Sequence, residues 1–301
     1  MTLELLVNVT PQETRVAVVE NGVLQEIFIE RTSRRGMVGN IYRGKVVRVL
    51  PGMQAAFIDI GLERTAFLHA SDIAVRDGNG GENGKSNENI QELLHQGQDL
   101  LVQVVKDPLG TKGARLTTHL SVAARFMVYM PGEDHIGISQ KIEAEEERQR
   151  LRDVVSALAE EMGGGGYIVR TVAEGVSEKE IRSDVAFLHK VWTEIQERAK
   201  ECSPGQLVHG DLSLAMRTMR DQVDAGVEKV RIDSRENFEK ASKFAAKFIP
   251  ELVDRIEYYP GERPIFDLYG IEDEIQKALG RKVQLKSGGY LIVDQTEALT
   301  T

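Results

Sequence analysis

Apolar and polar positions alternate with a period of two along much of the first 120 residues, the pattern of half-buried strands. Leu5 to Val9 and Arg15 to Val19 are rich in β-formers. Asn21-Gly22 is a type I′ turn signal, and Val23 to Glu30 then alternates, so residues 2–30 read as a hairpin. Ile41 to Val49 alternates over a full strand, Pro51-Gly52 is a turn, and Gln54–Ile60 and Thr65–His69 are strands separated by Gly61. Leu100–Lys106 and Arg115–Thr118 complete a set of about five, the number expected of a small Greek-key barrel. Within it, Asp77 to Asn89 is a Gly/Asn/Glu/Lys insert that cannot build a core and is expected to be a mobile loop.

Beyond residue 120 the period changes. Phe126–Tyr129 reads as a short strand. Ile142, Leu151, Val154, Val155 and Leu158 suggest an amphipathic helix that Gly163–Gly166 end, and Tyr167–Val172 is a strand. Ser177 with Glu180 three residues on forms a capping box, and the helix it opens is predicted to bury Ile181, Val185, Leu188, Trp192 and Ile195. From residue 213 helices and strands alternate: helix 214–223, strand 230–232, helix 236–248, strand 255–258, helix 271–279. Gly289–Val293 is a strand, Asp294–Glu297 a turn, and Ala298–Thr301 the start of a return strand. A half-finished hairpin is poorly stable, so the sequence is expected to be truncated.

Composition fits a globular protein of more than one domain: 301 residues, 41% hydrophobic and 28% charged. Cys202 is the single cysteine, which rules out an internal disulfide or a multi-cysteine zinc site and makes a cytoplasmic setting the simplest expectation. No run is apolar enough for a membrane span, and the N-terminus lacks a signal-peptide core. The net charge of −9 on its face argues against nucleic-acid binding, which usually leaves a basic footprint. Residues 31–50, however, carry Arg31, Arg34, Arg35, Arg43, Lys45 and Arg48 and no acid. This is either one basic face or a charged guard on a strand edge.

A small barrel binds single-stranded nucleic acid through aromatic platforms in a basic groove. Phe57 and Phe67 follow alanines on adjacent predicted strands, Tyr42 lies beside Arg43 and Lys45, and Lys112 sits in the glycine-flanked loop Leu109-Gly110-Thr111-Lys112-Gly113. The other reading is that both phenylalanines are core, the commoner fate of a strand Phe. Arg170-Thr171 could fork onto a phosphate or be a surface arginine beside a β-branched strand residue. The six histidines, and Asp59, Asp72 and Asp294, show no ligand or paired-carboxylate spacing.

Several strings carry a resemblance. Gly39-Asn40-Ile41-Tyr42-Arg43-Gly44-Lys45-Val46, Pro51-Gly52-Met53-Gln54-Ala55-Ala56-Phe57-Ile58-Asp59-Ile60-Gly61 and Ala66-Phe67-Leu68 resemble the S1 domain of the ribonuclease E/G family. Val105–Thr118, Leu5–Thr10 and Leu285–Thr300 extend the likeness over essentially the whole chain, on the ribonuclease G side of that family. The resemblance implies an α+β multidomain fold. An S1 (OB-fold) five-stranded barrel at 36–120 and a 5′-sensor domain at 121–212 would be inserted into an RNase H-like domain made of 1–35 and 213–280. Residues 281–301 would begin a DNase I-like catalytic domain. It further implies a single-strand-specific endoribonuclease of rRNA 5′-end maturation and mRNA turnover, homo-oligomeric when full length, acting on single-stranded RNA. Phe57, Phe67 and Lys112 would contact RNA, with Tyr42, Arg43 and Lys45 beside them. Arg170 and Thr171, with Val128, would sense a 5′ monophosphate. Catalytic aspartates holding Mg²⁺ are expected just after Thr301, and a cysteine-based Zn²⁺ link later still, so no catalytic or metal residue is assigned within the chain. The alternative is a non-catalytic RNA-binding or scaffold module.

Overall fold

A computed structural model describes residues 2–74, 89–222, 227–285, 287–297 and 300–301, and divides into two compact units, 1–35 with 212–301, and 36–211. The predicted mobile loop at 77–89 lies outside the described residues except for Asn89.

The first thirty residues form a three-stranded antiparallel meander rather than a single hairpin: β1 (Leu3–Val9), β2 (Glu13–Glu20) and β3 (Val23–Arg31). Asn21 and Gly22 both take positive φ, 49° and 79°, as a type I′ turn requires.

The 36–211 unit begins with β4 (Ile41–Leu50), β5 (Ala55–Asp59) and β6 (Ala66–His69), followed by the short helix α1 (Ile90–Leu93), β7 (Asp99–Lys106) and β8 (Arg115–Thr117). Their order is β4-β5-β6-β8-β7, and β7 returns to β4, closing a five-stranded barrel. Closure removes exposed edges. The long strand β4 makes it possible: its first half pairs with β7 and its second with β5. The interior is filled by Val46, Ala56, Ile58, Ala66, Leu68, Val102, Val104 and Leu116, with Ile90 of α1 closing against them. As a single turn, α1 is too short to leave a periodic signal in the sequence.

The same unit continues through β9 (Val122–Ala123), β10 (Met127–Met130), β11 (Ile136–Ile138), α2 (Glu145–Glu161), β12 (Gly166–Val169), α3 (Glu178–Glu201) and β13 (Gln206–His209). A four-stranded sheet runs β11-β12-β10-β9, while β13 pairs with the start of β4 as a sixth strand on the barrel sheet. The capping box at the head of α3 is present in full: Ser177 Oγ accepts from the Glu180 N–H, and Glu180 Oε2 accepts from the Ser177 N–H. The buried stripe of α3 differs from expectation by one residue. Val191 is buried, whereas Trp192 is half-buried beside the stripe, edge-on to Tyr129 at 6.5 Å. Asp184, also on this face and buried, accepts hydrogen bonds from the Arg125, Phe126 and Met127 N–H groups at 3.2, 2.9 and 3.1 Å. It thereby ties the start of β10 to α3.

The remainder of the first unit is α4 (Leu214–Gln222), β14 (Val227–Ile232), α5 (Arg235–Phe248), β15 (Ile256–Tyr258), α6 (Ile265–Leu268), α7 (Ile271–Ala278) and the hairpin β16 (Lys282–Gln284) and β17 (Tyr290–Ile292). β14 and β15 add in parallel to β1, giving the order β15-β14-β1-β2-β3. Leu6, Ala17 and Val19 pack on Ile265, Phe266 and Ile271, and the opposite-facing Leu5, Val7, Val16 and Val18 are also buried. Burial on both faces explains why β1 and β2 read as apolar runs rather than strict alternation. β16 carries no strand signal of its own, because Lys282-Val283-Gln284 offers one apolar residue.

Candidate nucleic-acid interface

Strand alternation decides where the two phenylalanines point. In β5 and β6 the inward positions are Ala56, Ile58, Ala66 and Leu68, all fully buried. Phe57 and Phe67 fall between them, directly opposite one another in register and only half-buried. Their rings meet edge to face at 6.4 Å and 67° on the outside of the barrel, and His69 extends the row at 6.4 Å from Phe67. The core reading of these residues is therefore excluded by geometry.

Three neighbours expected beside them behave differently. Tyr42 is not on the surface: it lies on the inward face of β4, 7% exposed in the barrel core, its hydroxyl accepting from Asn40 and turned to Met37 Sδ. One residue of strand period separates it from the surface. Arg43 faces outward but is committed to the frame. Its Nη1 donates to the Cys202 carbonyl at 2.8 Å and its Nη2 meets Asp99 at 3.3 Å. Lys45 is exposed, in register with Asp59 and Asp99.

Lys112 is exposed in the 107–114 loop, which folds back on itself through Leu109 N–H to Lys112 O and Lys112 N–H to Leu109 O. Gly113 holds the loop against the barrel. A Cβ at that position would stand 2.0 Å from the Thr65 carbonyl oxygen, so only glycine permits the approach. The next residue, Ala114, accepts the Phe67 N–H at 2.7 Å, and Arg64 donates to the Gly110 carbonyl. The Lys112 loop and the Phe67 strand are thus one tied structure.

The second candidate site lies on the β9–β12 sheet. β12 stops at Val169, shorter than predicted, because the Arg170 N–H makes the last rung to Phe126 O and residues Thr171–Ala173 turn into a 3-10 helix. Arg170 Nη1 donates to the carbonyls of Ala124 and Arg125, both at 3.0 Å, and Thr171 Oγ1 lies 2.9 Å from Ser139 Oγ. Val128 pairs with Ile168 in register, so by alternation Val128, Ile168 and Arg170 share the sheet face turned away from the buried Met127, Tyr129 and Val169. Ile168 is 42% and Val172 56% exposed. The segment is fixed from behind: Glu147 Oε1 accepts the Gly175 N–H at 2.8 Å while Arg150 donates to Glu147 and to the Val176 carbonyl. The Arg150 hydrogen bond, together with that of Gly175, lowers the Glu147 carboxyl to about 2.

A cleft of about 610 Å³ bordered by Thr118, His119, Glu133, Trp192, Gln196 and Lys200 contains none of the predicted site residues. Among the described residues no group of three or more His, Cys, Asp or Glu side chains could hold a metal ion, and no helix is long and apolar enough to cross a membrane.

An S1 RNA binding domain is matched over residues 36–118, and the Ribonuclease E/G family over residues 121–301. The chain is 57% identical over 304 residues to Ribonuclease G of Escherichia coli (strain K12), an alignment covering 100% of this chain and 62% of that protein. It is 51% identical over 302 residues to Ribonuclease G of Haemophilus influenzae, covering 99% and 61%. To Ribonuclease E of Escherichia coli (strain K12) it is 36% identical over 299 residues, covering 98% and 28%. The chain therefore spans about 62% of the length of the ribonuclease G proteins it matches.

Proposed function

Because the chain belongs to the ribonuclease E/G family, we propose that it serves a single-strand-specific endoribonuclease of RNA processing and decay, contributing the surfaces that hold the RNA and sense its 5′ end. The observation that carries this reading is the outward-facing Phe57–Phe67 pair on a closed barrel that matches the S1 RNA binding domain. Ring faces accept any base without hydrogen-bond readout, which suits binding of unpaired RNA with little sequence preference. A cytoplasmic setting, homo-oligomerisation, and roles in rRNA 5′-end maturation and mRNA turnover belong to the same proposal. So do an RNase H-like character of the β1–β3, β14–β15 sheet and a DNase I-like one for residues from 281 onward. Mg²⁺ as cleavage cofactor and a Zn²⁺ link are further parts of it, with neither ion assigned to the described residues, among which no group of three or more His, Cys, Asp or Glu side chains is gathered to hold a metal ion.

The test separates holding from cutting. The purified 301-residue chain is expected to retard a single-stranded RNA in a mobility-shift assay, to leave the duplex form largely unbound, and to release no cleavage products with or without Mg²⁺. Absence of binding would refute the reading of the barrel face. Robust Mg²⁺-dependent cleavage would place the catalytic carboxylates within this chain and overturn the division between holding and cutting.

Arg170 and Thr171 are proposed as the 5′-monophosphate contacts. A terminal phosphate carries nearly two negative charges near neutral pH, and a guanidinium can meet its oxygens with charge-assisted bonds that an ammonium cannot duplicate. The two main-chain carbonyls on Nη1 preorganise that group. Binding of one RNA prepared with a 5′ monophosphate or a 5′ hydroxyl should favour the monophosphate. Thr171→Val and Arg170→Lys should each shrink that preference, by about 1.5–3 kcal/mol at most for a bond to a charged group, while leaving 5′-hydroxyl RNA bound as before. A preference that survives both changes places the sensor elsewhere.

A further inference from the structure

Two irregularities in the barrel have matching consequences. In β4 the register slips between Val46 and Arg48: Val46 faces Ile58, Val47 is left over, and Arg48 faces Phe57. Strict alternation from Val46, which is inward and buried, would turn Arg48 inward as well. The extra residue, Val47, reverses this and places Arg48 on the outer face, where it is exposed. In β7 the same thing happens between Val104 and Lys106. Val104 faces Leu116 inside, Val105 is left over, and Lys106 faces Arg115 outside. Bulges of this kind re-aim a side chain at the cost of a ladder rung.

Across the strand order β4-β5-β6-β8-β7 the register lines up Arg48, Phe57, Phe67, Arg115 and Lys106 as one row perpendicular to the strands. Arg115 is bound to Asp72 through Nε at 3.0 Å and Nη2 at 3.3 Å, so its charge is compensated. Neither Arg48 nor Lys106 has an ion pair or side-chain hydrogen bond among the described residues. Among the described residues the row is therefore two aromatic rings between two cations without an acidic partner, spanning four strand spacings, roughly 19 Å. That is the layout of a stacking platform with a phosphate anchor at each end.

We propose that Arg48 and Lys106 are backbone-phosphate anchors that lay single-stranded RNA across the barrel strands, with successive bases on Phe57 and Phe67 between them. The inference rests on the reading of the barrel face as the RNA surface and adds the path of the strand and the residues that fix it. Each anchor neutralises one phosphate and so contributes to the salt dependence of binding. The rings contribute affinity that salt barely changes.

The experiment is a salt titration of affinity for a 5′-hydroxyl oligouridylate of about ten nucleotides, within the range one barrel covers. For single strands, log K falls with log salt by about 0.7 per phosphate neutralised. Arg48→Gln and Lys106→Gln should each reduce the slope by about 0.7, their combination by about 1.4, and Arg48→Lys should restore it. Phe57→Ala should lower affinity at every salt concentration with the slope kept. Lys240→Gln, on α5 in the other unit, should leave the slope as it is. If Phe57→Ala weakens binding while Arg48→Gln and Lys106→Gln leave the slope unchanged, the anchors are refuted and the barrel face stands. An equal fall with Lys240→Gln would reduce the effect to net charge and also refute the anchors. If neither ring nor cation matters, the reading of the face itself fails.

Discussion

Asp184→Ala is expected to destabilise the 36–211 unit by roughly 3–5 kcal/mol, since it strands three main-chain donors that cost about 1–3 kcal/mol each when buried without an acceptor. The carboxylate on α3 collects the Arg125, Phe126 and Met127 N–H groups. Some of the loss is recovered where water enters, which is why the figure stays below the sum. Asp184→Asn keeps one oxygen and should cost distinctly less. The measurement is direct, because Trp192 is the only tryptophan and sits on α3, so its fluorescence reports this unit during denaturant unfolding. A shift below about 0.5 kcal/mol, the size of an ordinary surface change, would mean that the contact is incidental. The same substitution should erode 5′-end discrimination, since Ala124 and Arg125 supply the carbonyls that anchor Arg170.

The second large effect falls on binding and spares stability. Base–aromatic stacking is worth about 1–3 kcal/mol per base, so Phe57→Ala or Phe67→Ala should weaken single-stranded RNA binding roughly 5- to 150-fold. Both rings stand outside a barrel whose interior is complete without them. Their removal leaves no cavity, and the melting temperature should move by no more than a few degrees. A loss of about 3–5 kcal/mol in stability, the signature of a buried Phe→Ala change, would contradict the outward placement. Truncating either ring also removes the edge-to-face contact at 6.4 Å. The double variant should therefore lose less than the sum of the two, and the shortfall measures how far the rings orient each other.

Much of this was legible in the sequence because it depends on local rules. Asn21-Gly22 announces its turn, Ser177 and Glu180 their cap, and the alternation in Ala55–Ile58 its strand. The parity of a residue within a long strand is less secure. Tyr42 and Arg43 differ by one position, and only the fixed register to β7 and β13 shows which is core and which is surface. Arg48 illustrates the harder case. The adjacent Val46-Val47 pair is a faint sign of broken alternation, but whether an extra residue bulges or merely ends a strand is decided by the partner strand. The four-stranded sheet is hidden for a related reason: β9 and β11 have two and three residues and exist only because β10 and β12 are there to pair with.

The parallel pairing of β1 with β14 joins Leu3–Val7 to Val227–Ile232, with the whole 36–211 unit encoded between the partners. On a translating ribosome moving at about 5–20 residues per second, β1 and β2 wait roughly ten to forty seconds for the strand that completes their sheet. During that interval Leu5, Leu6, Val7 and Val16–Val19 form an apolar surface without its cover. The intervening unit carries its own core and can fold while they wait. Synthesis thus imposes a timetable in which the inserted part matures first and the earliest-made strands last. Slow translation or a shortage of holdase chaperones would then expose the nascent N-terminus to aggregation, with the barrel already formed.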